Sequence, residues 1–181
     1  DRPIIQHGEE YTPLHPNKYV CVGKNGFETS GGWINRLSNG QILFPFCYAP
    51  LDENGKQYNP VGGYTFSYVA CLLGTWNEAG DDVIWDVSRD IQISGELSSR
   101  GVNECAPVEL KAPGHVLMVS RGGNSPNTGT QKACHWKTLS TDYGKTWSEY
   151  TRFTYDTGEE FNSPSSFANA IRSSKTGKAY W

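Results

Sequence analysis

A glutamate and an arginine on the two arms of one short hairpin are the residues of this sequence best suited to chemistry. Residues 105–121 form an apolar run, a polar turn containing Gly114, and a second apolar run ending at Arg121. That pattern predicts two antiparallel strands. A four-residue loop at 111–114 sets Leu110 across from His115, and the ladder continued from there sets Glu104 opposite Arg121. Asn103 precedes Glu104 at the same mouth. A carboxylate placed so can take up a proton, and a guanidinium can hold a ligand carboxylate through two parallel charge-assisted hydrogen bonds. Read instead as an ordinary cross-strand ion pair, the two residues would contribute under about 1 kcal/mol. The loops at 98–103, 122–131 and 157–166 are expected to open on the same side.

Other chemistries find less support. His7, His15, His115 and His135 form neither a triad nor a metal-ligand spacing. His115 falls in the turn and His135 within a strand, where structural roles are expected. The five cysteines include no C-x-x-C pair. Cys21, Cys47, Cys71 and Cys134 sit in short apolar runs and are expected to be small buried residues. One disulfide stays open in an exported protein, with no partners specified. No metal site and no cofactor are expected.

The elements that would carry the Glu–Arg pair are strands. Six Trp, ten Tyr and seven Phe against one Met, with 20 Gly, favour an all-β fold rich in tight turns. No stretch sustains helical periodicity between caps. The strand–turn–strand plan of the Glu109 hairpin occurs twice more, beginning at Gly31 and at Phe167, with turn glycines Gly40, Gly114 and Gly177. Each interval leaves room for two further strands, which makes a four-stranded antiparallel blade and points to a β-propeller. Residues 64–73 and 133–139 are the clearest further strands, and Pro/Gly clusters at 59–63 and 122–129 mark loops.

A closed ring usually takes four to eight blades, and 181 residues supply about three. A single domain, residues 1–181, truncated at both ends, is therefore the expectation. The chain begins at Asp1 without a signal-peptide pattern, so a leader was removed or upstream sequence is missing. Sixteen basic and 19 acidic residues give a net charge of −3 without a basic stripe, which argues against nucleic acid as partner. No apolar run approaches the roughly 18 residues of a membrane span.

Residues 140–147, Ser-Thr-Asp-Tyr-Gly-Lys-Thr-Trp, fill every keyed position of S/T-x-D-x-G-x-T-W. In a hairpin turn Asp142 can accept backbone N–H groups, Gly144 can take a positive φ, and Trp147 can pack back over the turn. Ser140 and Thr146 complete the pattern. This stretch resembles the Asp box of sialidases and related propellers. Residues 78–85 lie where an earlier blade would carry its own box, in degenerate form.

Asn103-Glu104-Cys105, then Val108-Glu109-Leu110, a Gly turn and a strand closing on Arg121 resemble a second sialidase stretch, with one residue inserted in the turn. The likeness is strong over residues 101–147 and loose elsewhere from Gly31 onward. It implies a six-bladed propeller and a retaining exo-glycosidase acting on terminal acidic sugars of glycans. It also implies that Glu104 takes the proton of a tyrosine nucleophile, that Arg121 binds the substrate carboxylate with Asn103 nearby, and that the Asp box is structural. The family's first arginine, acid/base Asp, third arginine and nucleophilic Tyr match nothing here. Truncation accounts for all four, and so does divergence to another substrate. A secreted or periplasmic protein is expected. The alternatives are a non-catalytic propeller binding carbohydrate or protein, and another glycosidase or a polysaccharide lyase on the same fold.

Overall fold

The computed structural model describes residues 34–62, 65–123, 134–161 and 163–181. Several expectations lie outside them: Cys21, His7, His15, the start of the first hairpin, the strand ends at Tyr64 and Ala133, and most of the 122–131 loop.

Every regular element among the described residues is a strand. β1 (Asn35–Arg36), β2 (Ile42–Tyr48), β3 (Tyr68–Trp76) and β4 (Val83–Val87) form one antiparallel sheet in sequence order. β5 (Val102–Glu109), β6 (Val116–Gly122), β7 (His135–Ser140) and β8 (Thr151–Arg152) form a second sheet of the same order. β9 (Ile171–Arg172) and β10 (Ala179–Tyr180) pair as a further hairpin. The three repeated hairpins are thus the first strand pair of each unit. Gly40, Gly114 and Gly177 all take positive φ in their turns.

The strands follow a period of two. In β2, Leu43 and Cys47 face one side while Phe46 and Tyr48 face the other. β3 answers with Val69, Cys71 and Leu73 on the first face and Ala70 and Leu72 on the second. The first face packs on Val102, Cys105, Val116, Met118 and Trp136 of the second sheet, which makes the main core. Cys47, Cys71, Cys105 and Cys134 are all buried, as small core residues. Pro107 is tolerated because β5 is an edge strand, and Pro45 because it lies beyond the end of the short β1.

Strand boundaries depart from the sequence pattern where pairing sets them. β3 starts at Tyr68 because Ser67 is taken up by Gly101: Ser67 N–H donates to Arg100 O at 3.0 Å and Val102 N–H to Ser67 O at 3.1 Å. It continues to Trp76 because β4 pairs with its far end. The first strands of the three hairpins also line one cavity of about 490 Å³, with Arg36, Glu109 and Arg172 on its wall.

Candidate functional site

The β5–β6 hairpin closes as its sequence suggests. Leu110 N–H donates to His115 O at 2.7 Å around the four-residue loop, and the ladder runs in register from Glu109–Val116 to Ala106–Val119. Then it slips. Asn103 and not Glu104 is the Cα partner of Arg121, which corrects the expected pairing. The cause is a β-bulge whose extra residue is Glu104, held at φ 47°. The bulge explains why Val102 and Cys105, three residues apart, both face the main core. Without it, an odd spacing would send one of them outward.

The slip does not part the two side chains. Arg121 Nη1 donates to both Glu104 carboxylate oxygens, at 2.8 and 2.7 Å. The Arg121 and Glu104 side chains are 22% and 23% exposed, so the pair is reachable from solvent yet mostly desolvated. A left-handed backbone costs a non-glycine residue on the order of 1–3 kcal/mol. Here it turns a carboxylate out of the strand's pleat and onto the guanidinium. Arg121 Nε donates to Ser165 Oγ at 3.2 Å. Among the described residues Arg121 therefore spends Nε and Nη1, and Nη2 is the donor left for a ligand. Asn103, facing Arg121 in register, is partly exposed beside it.

Three serines and a histidine bring distant segments to this mouth. Ser165 Oγ donates to Gly122 O at 2.7 Å, and Gly123 N–H donates to Ser98 Oγ at 2.8 Å. Thus the described parts of the 98–103, 122–131 and 157–166 segments do meet at one end. Buried His135 bonds Ser163 Oγ through Nδ1 at 2.7 Å and Ser166 O through Nε2 at 2.8 Å, strapping the 163–166 segment to β7. Because Nε2 must donate to a carbonyl, Nδ1 accepts from Ser163 in the neutral ring. This is the structural role expected of His135.

Behind the pair, Ser120, Tyr150 and Cys105 are buried in the core. Ser120 Oγ and Tyr150 OH share a hydrogen bond of 2.7 Å inside the core. Burial pushes the Tyr150 phenol and the Cys105 thiol well above their ordinary values, and the neighbouring Cys47 and Cys71 push Cys105 further. Among the described residues no group of three or more His, Cys, Asp or Glu could hold a metal ion.

The Asp-box turn lies at the other end of the sheet, beside Gly114. Ser140 Oγ donates to Asp142 Oδ1 at 2.8 Å and accepts from Gly144 N–H at 2.8 Å. Thr146 donates to Asp142 through its N–H at 2.9 Å and its hydroxyl at 2.6 Å. Burial pushes the Asp142 carboxyl up, but the Thr146, Ser140 and Lys145 hydrogen bonds outweigh it and hold the group below its usual range. Gly144 sits at φ 84° with Leu43 of the first sheet directly over it. Trp147 packs on the main core. Tyr143 N–H donates to Gly114 O at 3.0 Å, and buried Glu109 accepts from Ser38 N–H, Ser38 Oγ and Gly114 N–H. These contacts weld the two sheets at the end remote from Glu104. In the first sheet Asn77 organises the equivalent turn, accepting from the Asp81 and Asp82 N–H groups.

No family model matches the chain, and no curated protein matches it closely enough to count as a relative.

Proposed function

We propose that the two sheets and the third hairpin are successive blades of a six-bladed, sialidase-type β-propeller. We propose further that this propeller is an exo-acting glycoside hydrolase of terminal acidic sugars, working outside the cell as a secreted or periplasmic enzyme. The architectural part is supported by the shared order of the two meanders and by β1, β5 and β9 lining one cavity, as innermost strands around an axis do.

The functional part is carried by Glu104. It is the strained residue of the bulge, it is bonded to Arg121, and both are partly exposed at the mouth where three segments converge. Strain of this kind concentrates at functional sites. In the reaction, the sugar carboxylate docks on Nη2 of the Arg121 guanidinium, the nitrogen that Glu104 and Ser165 leave free. Glu104 accepts the phenolic proton of a tyrosine as its oxygen bonds to the anomeric carbon and the glycosidic C–O bond breaks. Water then releases the sugar, and Glu104 returns the proton to the tyrosine. Asn103 flanks the bound carboxylate. Neither the tyrosine nor the acid serving the leaving oxygen has a residue assigned in this chain.

Kinetics of the protein carrying the complete ring on a fluorogenic sialoside test this. Arg121→Lys removes the planar fork, so KM should rise at least tenfold with a smaller change in kcat. An unchanged KM would rule out Arg121 as the carboxylate site. Binding of sialylated glycans without any turnover would replace the hydrolase by a non-catalytic propeller.

A further inference from the structure

We propose that a cleft between Tyr58 and the 92–96 segment binds the ring of a neutral sugar, separately from the Glu104–Arg121 pair. The cleft has a volume of about 840 Å³, inside the range that holds small ligands. The proposal rests on the cleft's own lining and not on the hydrolase reading.

One wall is a fixed aromatic platform. Residues 51–57 close a small turn, with Leu51 bridging Gln57 and the Asp52 carboxylate accepting from the Asn54 and Lys56 N–H groups. Tyr58 leaves that turn with its N–H on Pro50 O at 2.8 Å. Tyr58 is 38% exposed, yet its ring is held in a T-shaped contact by buried Phe66 at 5.7 Å, which in turn braces Tyr68 at 5.7 Å. An aromatic face presented at little entropic cost suits the C–H face of a pyranose.

The other wall is polar by the pleat. Ile91 bridges Val69, and along the extended segment Ile91 and Ile93 turn into the core while Gln92, Ser94 and Glu96 turn out into the cleft. The floor depends on Gly95: a Cβ there would lie 2.7 Å from Val61 Cγ2 and 3.0 Å from Pro60 Cγ, so a side chain would drive the 59–62 loop away. The amide, hydroxyl and carboxylate can bond a ring of hydroxyl groups. Among the described residues the lining holds Glu96 and no Lys, Arg or His, which selects against an anionic sugar. The ligand chemistry is therefore opposite to that of Arg121, although both sites open at the same end of the sheets through the Ser67–Gly101 pairing.

Saturation-transfer NMR and calorimetry of the full chain with lactose, cellobiose and maltose, and with glucuronate as the anionic comparison, test the site. At least one neutral disaccharide should bind saturably, with transfer strongest at ring C–H protons. Tyr58→Ala should weaken that binding at least tenfold and Gln92→Ala severalfold, while Tyr58→Phe stays within about threefold of the parent. Glu104→Gln should leave it unchanged, which keeps this test apart from that of the hydrolase. Absence of saturable binding by all three disaccharides would overturn the proposal. So would glucuronate binding as tight as theirs that Tyr58→Ala also weakens, or parent-like affinity for the neutral disaccharides in Tyr58→Ala. Should Tyr58→Ala fail to fold, Gln92→Ala decides, and parent-like affinity in it would overturn the proposal.

Discussion

Replacing Gly144 by alanine tests the junction of the two sheets with a single atom. The residue sits at φ 84°, and the left-handed region costs an alanine about 1–2 kcal/mol. The new Cβ would also fall well inside contact distance of Leu43 Cδ1. Leu43 is completely buried in the main core, so its side chain cannot swing away. Overpacking of that kind adds about 1–3 kcal/mol. Together the two effects destabilise by about 2–5 kcal/mol, which lowers Tm by about 4–20 °C for a chain of this size. A double-mutant cycle separates them. Leu43→Ala alone should cost about 2–5 kcal/mol, but in the Gly144→Ala background it removes the collision. The double variant should be more stable than additivity allows by about 1–3 kcal/mol. Thermal and urea melts of the four proteins give the numbers. Strict additivity would refute the collision, and a Gly144→Ala melt within 1 °C of the parent would refute the turn geometry as well.

Three further outcomes follow from the same contacts. Because its carboxyl is held below the usual range, Asp142 contributes stability that is complete above the ordinary value of about 3.9 and lost as pH falls through its folded value. Melts from pH 6 to 2 should therefore fall more steeply for the parent than for Asp142→Asn, and parallel curves would contradict this. Glu109→Ala strands three donors from two turns and should cost about 2–4 kcal/mol by urea titration; a loss under about 0.5 kcal/mol would show that water replaces the carboxylate. Ser163→Ala leaves His135 without its Nδ1 partner and frees the 163–166 strap, so amide exchange there should quicken while β5 and β6 keep their protection. Equal exchange in both proteins would deny His135 the anchoring role.

Much of this arrangement is written in local pattern. Alternation in 42–48 and 68–73 yields two-faced strands directly, and the glycines at 40, 114 and 177 mark turns whose backbone excludes most other residues. The Asp box is legible because the hydrogen bonds joining Ser140, Asp142, Gly144 and Thr146 close within eight residues. The bulge is harder, because an extra residue leaves the turn's register intact and shifts only the pairs beyond it. Its one trace is the odd spacing of Val102 and Cys105, which share a face despite the pleat. Ser98, Ser163 and Ser165 carry no signal of their own. They matter through partners 25 to 44 residues away, which tertiary folding alone brings near. β4 is likewise obscure, since no residue in it is fully buried, the apolar Ile84 is exposed, and its pairing with β3 defines it.

In the proposed hydrolase Glu104 is a base held in place by a bulge and by Arg121. The most direct measurement is kcat for sialoside hydrolysis by Glu104→Gln in the full-length protein, with the thermal melt of the same sample beside it. Glutamine keeps the shape and the hydrogen bond to Arg121 but cannot take a proton. With Glu104 as the base, kcat should fall by at least a hundredfold, within the range expected for a lost general base, while KM and Tm stay near the parent values. A lowered Tm with kcat unchanged would contradict it, and would make the pair a structural cross-strand ion pair.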